Sequence, residues 1–150
     1  MIDYIKGHTL LINKPLRWTS FDVVKKIRNT LRSGLQLKNI KVGHAGTLDP
    51  LADGLLIVCT GKFTKLINEF QAQEKEYTAE FTLGATTPSF DLETEINETF
   101  NYNHINEDML KTTTEKLTGN ILQTPPIYSA IKRDGKRLYE YARKGEDVKI

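Results

Sequence analysis

The chain is organised around the segment Gly43-His44-Ala45-Gly46-Thr47-Leu48-Asp49-Pro50-Leu51-Ala52-Asp53-Gly54, which leads into the apolar run Leu55-Leu56-Ile57-Val58-Cys59. This run has the length of a strand and is bounded by turn-forming pairs at 53–54 and 60–61, so it predicts a strand buried on both faces. In the segment before it, glycines let the main chain approach a bulky ligand, and Pro50 biases Asp49 toward an extended backbone. We expect a stiff loop that aims the Asp49 carboxylate.

Upstream of this segment the sequence predicts a strand and then a helix. The apolar run Leu10-Leu11-Ile12 ends at Lys14-Pro15, where the proline lacks the N–H that a continuing central strand needs. Thr19 can cap the helix that follows, with Asp22 three residues later as in a capping box. The helix is expected to stop at Gly34. Its apolar positions are spaced by three and four residues and are Phe21, Val24, Ile27 and Leu31.

Downstream of the apolar run, short strands and helices are expected in turn. They are a helical turn at 65–70, a half-buried strand at 77–83, a helix at 106–117, a strand at 127–131, a tight turn at 134–135, a short helix at 138–143 and the start of a further element at 148–150. Internal repeats and a regular βαβ rhythm are both lacking. We therefore predict one α+β domain over residues 1–150, with a mixed, largely antiparallel sheet and flanking helices.

The composition is ordinary for a soluble globular protein. Hydrophobic residues make up 39% and charged residues 27% of the chain, which excludes disordered and collagen-like classes. Apolar runs stay well short of the roughly 20 residues of a membrane span. Residues 1–10 lack the charged start, apolar middle and cleavage site of a secretory signal. We expect a cytoplasmic protein.

Cysteine and histidine usage argues against metal and disulfide chemistry. The single cysteine, Cys59, lies within the apolar run, which favours a buried thiol over a nucleophile or a ligand. His8, His44 and His104 lack the spacing of metal ligands, and the sequence has no glycine-rich phosphate loop. We therefore expect chemistry that uses neither a metal nor a nucleotide cofactor.

Positive charge is concentrated in two parts of the chain. The net charge is only +2, but residues 14–41 hold eight basic residues against the single acid Asp22. A second basic cluster near the C-terminus consists of Lys132, Arg133, Lys136, Arg137, Arg143 and Lys144. This distribution suits a phosphate backbone. Charge alone leaves the alternative open, namely that these residues form solvated faces of helices.

Asp49 is the candidate for covalent chemistry. An aspartate is a competent nucleophile at neutral pH if it is oriented and partly shielded from water. An Asp-Pro pair beside glycines is also typical of a turn in which the carboxylate caps local N–H groups. Similarly, His44 by itself is compatible with a structural loop histidine. The residue types alone leave both interpretations open.

The segment that contains Asp49 resembles the Gly-His-(Thr/Ala)-Gly-(Thr/Ala)-Leu-Asp-Pro signature of the TruB family of tRNA pseudouridine synthases. Further motifs follow in the family's order over essentially all 150 residues. They are Leu11-Ile12-Asn13-Lys14-Pro15 with Thr19-Ser20, Lys75-Glu76-Tyr77, Leu83-Gly84 with Thr87 and Asp91, and Pro125-Pro126-Ile127-Tyr128-Ser129-Ala130-Ile131-Lys132 with Gly135-Lys136-Arg137-Leu138-Tyr139-Glu140-Tyr141-Ala142-Arg143. The resemblance implies the pseudouridine synthase fold. It also implies isomerisation of the uridine at T-loop position 55 of tRNA to pseudouridine, without a cofactor or metal.

Carried over by position, the resemblance assigns roles to individual residues. Asp49 becomes the essential aspartate, which attacks either the sugar carbon or the uracil ring. Tyr77 corresponds to the aromatic residue that packs on the target base, although its place on the apolar face of a predicted strand favours core packing when taken alone. His44 corresponds to a histidine that occupies the RNA region vacated by extruded nucleotides. Lys14, Lys132 and the basic helix face would contact phosphates of the T arm, and the protein is expected to act as a monomer.

The sequence departs from the family pattern at a few positions and in length. Ala45, Asp53 and Pro88 stand where relatives commonly have threonine, threonine and an acidic residue. Relatives also continue beyond Ile150 through a Lys-Gly-Thr-Tyr-Ile-Arg-like strand, whose arginine is expected to pair with the aspartate. We therefore expect the catalytic domain to be incomplete at its C-terminal side and this chain alone to be weakly active or inactive. Two other functions stay open: a non-catalytic RNA-binding or tRNA-folding module, and the catalytic subunit of an RNA-guided pseudouridylase.

Overall fold

A computed structural model of the chain describes residues 2–129 and 131–146. Ala130 and the element expected to begin at Val148 lie outside the described residues. The chain forms two compact units, Met1–Glu80 and Phe81–Ile150. Since two such units can belong to one domain, the single domain over residues 1–150 stays a prediction. Within the described ranges, no helix combines the length and the apolar character that crossing a membrane requires.

The first unit is built on a three-stranded antiparallel sheet. Its strands are β1 (His8–Lys14), β2 (Val42–Ala45) and β3 (Gly54–Thr60), with β3 in the middle. Ile57 of β3 lies opposite Leu11 on one side and Ala45 on the other. The two predicted strands and the mixed helix and antiparallel-sheet class are therefore confirmed. The expectation that β3 is buried on both faces is wrong near its start, because the core lies on one face of the sheet and Leu55, on the other face, is 63% exposed. The sequence does not predict β2, because glycine weakens a strand pattern.

Helix α1 (Ser20–Gly34) has the predicted cap and the predicted end. The Thr19 hydroxyl accepts a hydrogen bond from the Asp22 N–H at 3.0 Å, and the Asp22 carboxylate accepts one from the Thr19 N–H at 3.0 Å. These reciprocal bonds complete the capping box. The hydroxyl of Thr19, and then its N–H, lower the pKa of the Asp22 carboxyl, which favours a negative charge at the N-terminus of the helix.

The core of the first unit lies between α1 and one face of the sheet. Its buried members are Val23, Val24, Val42, Leu56 and Val58, and the partly buried side chains around them are Leu10, Ile12, Ile27, Leu31, Ile40 and Leu48. Alternate residues of β1 and β3 contribute to it, as expected for a sheet with one face against a helix. Phe21, predicted to lie on the buried face of α1, is exposed instead. The buried face runs through Ser20, Val23 and Val24, so that Phe21 lies at its edge.

The predicted helical turn after β3 is confirmed. A 3-10 turn at Gly61–Leu66 is followed by the short helix α2 (Ile67–Gln71). The thiol of Cys59, at the end of the preceding apolar run, is fully buried, and this burial raises its pKa. A neutral, buried thiol agrees with the structural role that the sequence predicts for Cys59.

The second unit contains short hairpins and helices. They are β4 (Ala85–Thr86) paired with β5 (Glu98–Thr99), α3 (Glu107–Lys116), β6 (Lys132–Arg133) paired with β7 (Lys136–Arg137), and α4 (Leu138–Ala142). The Asn106 side chain caps α3 by accepting a hydrogen bond from the Met109 N–H at 2.9 Å. Asp134 and Gly135 both have positive φ, 50° and 82°, which suits the tight turn of a hairpin. Both predicted helices and the predicted turn of this region are therefore confirmed.

Two predicted strands are wrong. Residues 74–82 have no regular secondary structure, and the side chains of Tyr77 and Phe81 are 68% and 83% exposed. Alternation of apolar residues is not sufficient for a strand, because a strand also needs a neighbour for its N–H and C=O groups. The strands on either side in the chain, β3 and β4, pair with other partners. Likewise, residues 127–129 form bends, and strand pairing begins only at Lys132.

Gly61 allows the chain to turn sharply after β3. Its φ is +54°, and a Cβ atom added to it would lie 2.2 Å from the carbonyl oxygen of Ile5 and 2.5 Å from that of Tyr4. Both of those atoms belong to the backbone, so they cannot move aside as the end of a flexible side chain could. Only glycine fits this position without a shift of the main chain.

We predict that Gly61→Ala lowers the free energy of unfolding of the chain by roughly 3 kcal/mol, from left-handed strain and from the backbone clash. Urea unfolding followed by the fluorescence of Trp18 measures this loss. Gly34→Ala is the matched control, because the same methyl group meets nothing within 4 Å there. It should change the stability by less than about 0.5 kcal/mol. An equal loss in both variants would contradict the prediction.

Candidate active site

Asp49 lies in the loop that connects β2 to β3. These strands pair from Val42 with Thr60 to Ala45 with Ile57, so the loop leaves and re-enters the sheet at neighbouring positions. Within the loop, the Asp49 carbonyl oxygen accepts a hydrogen bond from the Ala52 N–H at 3.0 Å. The Asp49 side chain is exposed. The predicted Asp-Pro turn is therefore present, and the carboxylate is open to solvent.

Ser20, the first residue of α1, and Arg17, in the turn before α1, bind the main chain on either side of Asp49. On one side, the Ser20 hydroxyl accepts from the Leu48 N–H at 2.9 Å and donates to the Leu48 carbonyl oxygen at 3.1 Å. On the other side, the Arg17 N–H donates to the Pro50 carbonyl oxygen at 2.6 Å. Hydrogen bonds to both neighbours restrict the backbone from which the Asp49 carboxylate extends.

Arg17 makes its bond to the loop from an unusual backbone conformation. Its φ is +67°, in the left-handed region. This conformation costs a residue with a Cβ atom about 1–2 kcal/mol. Such strain persists only where the surrounding structure imposes it, and here the hydrogen bond to Pro50 restrains Arg17.

Lys14 is buried beneath the same turn. Its side chain is 0% exposed, and its ammonium donates to the carbonyl oxygens of Pro15 at 3.0 Å and of Trp18 at 2.7 Å. The two bonds tie the start of the turn to its end. To contact a phosphate, this ammonium would have to leave both carbonyl oxygens. The geometry favours a structural role, and the phosphate contact expected for Lys14 from the sequence stays a prediction.

His44 lies in β2, opposite Val58 of β3, and is half-buried. Its Nδ1 atom is 2.5 Å from the carbonyl oxygen of Gly46. A carbonyl oxygen only accepts, so Nδ1 carries the proton and donates this bond. Nε2 is then the ring nitrogen left for other contacts. His44 is therefore held by the first residue of the Asp49 loop and is not a mobile loop histidine.

The glycines of the segment have different roles. A Cβ atom at Gly43 would lie 2.8 Å from Cδ1 of Ile67, so this glycine lets α2 pack closely against β2. At Gly46 an added Cβ would meet nothing within 4 Å. The expectation that the glycines of this segment make room for a ligand is therefore wrong for Gly43, whose space is filled by the protein itself.

The remaining predicted site residues lie outside this hydrogen-bonded cluster. Tyr77 belongs to the irregular segment 74–82 of the first unit and is largely exposed. Lys132 is exposed at the start of β6 in the second unit, where it pairs with Arg137. Hydrogen bonds to the main chain thus link the turn held by Lys14, the ring of His44 and the loop of Asp49 to one another. The hydrogen bonds of this cluster do not include Tyr77 or Lys132.

A groove runs along the exposed face of α1, beginning at Arg17. It has a volume of about 390 Å³ and is lined by Arg17, Trp18, Asp22, Lys25, Lys26 and Asn29. Three of these side chains are cationic. Because the Arg17 N–H is bonded to Pro50, the groove begins next to the Asp49 loop. It offers both positive charge and an aromatic surface to an anionic ligand.

The acidic residues near the loop are not organised to hold a metal. In the part of the chain that the structure describes, no group of three or more His, Cys, Asp or Glu side chains could bind a metal ion. Among the described residues, the acids that form salt bridges are Asp3, Glu93 and Glu107, and Asp49 is not one of them. The site thus presents the carboxylate of Asp49 on a main chain that is hydrogen bonded at the residues before and after it.

Sequence reasoning missed Ser20 and Arg17 as parts of this site. Thr19-Ser20 belongs to the opening motif, but the capping role of Thr19 accounts for it without involving the Asp49 loop. Both contacts join residues about 30 positions apart, and such a separation leaves no mark in local periodicity. The order of the motifs along the chain is the one signal that links the two segments.

The chain matches the family model described as TruB family pseudouridylate synthase (N terminal domain) over residues 32–150. It is 58% identical over 149 residues to the tRNA pseudouridine synthase B of Flavobacterium johnsoniae, and 55% identical over 149 residues to that of Parabacteroides distasonis. The match to the protein of Chlorobium luteolum is 52% identical over 143 residues.

These matches cover nearly all of this chain but only part of each relative. The alignments span 99%, 99% and 95% of the chain, against 65%, 63% and 49% of the Flavobacterium, Parabacteroides and Chlorobium proteins. The chain therefore spans less than two thirds of the length of these relatives.

We predict that Lys14→Met lowers the free energy of unfolding by about 2–4 kcal/mol, because the carbonyl oxygens of Pro15 and Trp18 lose their buried donor. Urea unfolding again provides the measurement. Lys25→Met is the control, since it removes an exposed ammonium from the neighbouring helix and should change the stability by less than about 0.5 kcal/mol. Equal stabilities of the two variants would show that the Lys14 ammonium is not held as described.

Proposed function

Since the chain belongs to the TruB family of pseudouridylate synthases, we propose that it carries the catalytic aspartate of an enzyme that isomerises uridine to pseudouridine at position 55 in the T loop of tRNA. The observation that carries this proposal is the fixation of the Asp49 backbone. Of its two neighbours, Leu48 is hydrogen bonded to Ser20 at the start of α1, and Pro50 to Arg17 in the turn before it. Such fixation suits a carboxylate that must meet one atom of a bound nucleotide.

The proposed reaction exchanges bonds within a single nucleotide. The glycosidic bond to N1 breaks, the uracil turns, and C5 bonds to the same sugar carbon, while the proton on C5 is lost and N1 gains one. Atoms and oxidation state are conserved, so the reaction requires neither an electron carrier nor an activated donor. Asp49 attacks the sugar carbon or the uracil ring, and both routes remain compatible with an exposed, oriented carboxylate.

Tyr77 is proposed to stack on the target base. Its exposure supports this role over the core packing that the sequence pattern favours, because a ring within a core would not be 68% exposed. Stacking on an aromatic ring contributes about 1–3 kcal/mol per base, which helps to hold a nucleotide that has left its own stack.

His44 is proposed to occupy the RNA region from which the nucleotides are extruded. With Nδ1 bound to Gly46, the ring is fixed and Nε2 is the atom that RNA would meet. A fixed ring takes up space at a lower entropic cost than a mobile side chain. The proposed role is binding, without proton transfer.

The cationic groove on α1 and Lys132 are proposed to bind RNA phosphates. Lys25 and Lys26 are exposed on the groove, and Lys132 is exposed on β6. Contacts of this kind fix the position of the RNA without reading its bases. The T arm as the bound element, a monomeric state and a cytoplasmic location stay predictions.

A second candidate function is a non-catalytic RNA-binding or tRNA-folding module. It is favoured by one observation: the Asp49 carboxylate is exposed, and the salt bridges of the described residues do not include it. The proposed enzyme instead pairs Asp49 with the arginine that relatives are expected to carry beyond Ile150. The catalytic subunit of an RNA-guided pseudouridylase is a third candidate, and product formed on naked T-arm RNA without a guide or partner would exclude it.

We predict that Asp49→Asn in the full-length protein lowers pseudouridine formation on T-arm RNA by roughly three orders of magnitude or more, because the amide is a poor nucleophile. Its affinity for tRNA should stay within about threefold of the wild type, since the side-chain shape is kept. Product is measured by nucleoside analysis and affinity by filter binding.

Asp53→Asn provides the control for the loss of a negative charge, since Asp53 is an exposed acid of the same loop. This variant should keep the wild-type rate. Full turnover by Asp49→Asn would rule out the enzyme proposal. Binding of tRNA by the wild type without any product would instead support the non-catalytic module.

We predict that Tyr77→Leu lowers kcat/KM by roughly 5- to 150-fold, which corresponds to the loss of about 1–3 kcal/mol of base stacking. Tyr77→Phe should retain most of the activity, because it keeps the aromatic ring. Steady-state assays on T-arm RNA compare the two variants. If leucine serves as well as phenylalanine, Tyr77 contributes apolar packing and not stacking.

A further inference from the structure

Ser20 joins helix α1 to the residue just before Asp49. It is the first residue of α1 and is only 3% exposed. Its hydroxyl accepts a hydrogen bond from the Leu48 N–H at 2.9 Å and donates one to the Leu48 carbonyl oxygen at 3.1 Å. A serine hydroxyl has one donor and two acceptor positions. One side chain therefore satisfies both main-chain polar groups of Leu48.

The bond to the Leu48 carbonyl oxygen acts directly on Asp49. That oxygen lies in the same planar peptide unit as the Asp49 N–H, so holding it fixes the orientation of this plane. The following residue, Pro50, restricts the dihedral ψ of Asp49 to extended values. The Arg17 N–H then holds the Pro50 carbonyl oxygen at 2.6 Å. Contacts of its neighbours thus restrict the direction of the Cα–Cβ bond of Asp49, from which the carboxylate extends.

Ser20 is itself held rigidly. The capping box between Thr19 and Asp22 fixes the start of the helix, and Val23 and Val24 of the next turn lie in the core of the first unit. A hydroxyl on a mobile loop would move with Leu48, whereas this one is anchored to the core. The restraint therefore passes from the core through α1 to the peptide unit of Asp49.

We infer that Ser20 is a positioning residue for the Asp49 carboxylate. This inference rests on the proposed function and adds to it the group that orients the nucleophile. Ser20 does not touch the substrate. Its loss should therefore slow the chemical step while leaving the binding of tRNA largely unchanged. A buried hydroxyl that served only to satisfy polar groups would affect stability and leave kcat unchanged.

The test is carried out on the full-length protein with Ser20→Ala. We expect kcat on saturating T-arm RNA to fall by roughly 10- to 100-fold, the size of effect that a small misplacement of a reacting group produces. KM and the Kd for tRNA should change by less than about twofold. The Leu48 amide should also exchange with deuterium faster, because its hydrogen-bond acceptor is gone.

Two controls separate positioning from loss of stability. Ser33→Ala removes another hydroxyl of the same helix, which is exposed and donates to the Asn29 carbonyl oxygen at 2.9 Å, and kcat should not change. Gly61→Ala lowers the stability without touching the loop and should keep kcat at a temperature where it is folded. Ser20→Thr retains the hydroxyl and should recover most of the rate lost in Ser20→Ala.

Each outcome decides the inference. A kcat of Ser20→Ala equal to that of the wild type, or a loss confined to KM, overturns it while the proposed function stands. A wild type that forms no pseudouridine overturns the proposed function and the inference together. If Ser20→Ala does not fold, Ser20→Cys replaces it, because the thiol keeps the shape and is a weaker hydrogen-bond partner. A fall in its kcat with tRNA affinity retained supports the inference, and an unchanged kcat overturns it.

Discussion

The arrangement of this molecule depends on hydrogen bonds that Ser20, at the start of α1, and Arg17, in the turn before it, make with the main chain of the Asp49 loop. Individually such bonds contribute only about 1 kcal/mol to stability. Their importance is geometric, because they hold Leu48 and Pro50 and leave Asp49 between two fixed points. A loop of this kind is a rigid extension of the helix and the sheet.

The turn that contains Arg17 is stabilised by the buried ammonium of Lys14. The Lys14 ammonium binds the carbonyl oxygens of Pro15 and Trp18, so that the two ends of the turn are held by one side chain. Removing a charged group from water is costly unless it is well hydrogen bonded. The strained backbone of Arg17 lies between these two anchor points. The turn thus combines a buried cation with a left-handed residue, and both features restrict the number of conformations that it can adopt.

Local sequence signals were sufficient for most of the first unit. The capping pair Thr19 and Asp22, the stop at Gly34 and the apolar run of β3 act through short-range chemistry, and all three appear in the structure. The strand predicted at residues 77–83 from alternating apolar residues was wrong, because such a segment becomes a strand only when it pairs with a neighbouring strand. For the site, the resemblance proposed Asp49, but the hydrogen bonds of Ser20 with Leu48 join distant residues and could not be seen in either segment alone. The burial of Lys14 was missed for a different reason, because a lysine is ordinarily placed on the surface.

The buried thiol of Cys59 has a practical consequence. Maleimides and similar reagents attack thiolates, and burial both blocks access to this sulfur and disfavours its ionisation. Cys59 is also the one cysteine among the 150 residues. A second cysteine introduced on an exposed part of this chain would accordingly take up a fluorophore or spin label selectively. The natural sequence thus already provides a background on which docking of a ligand can be followed by site-specific spectroscopy.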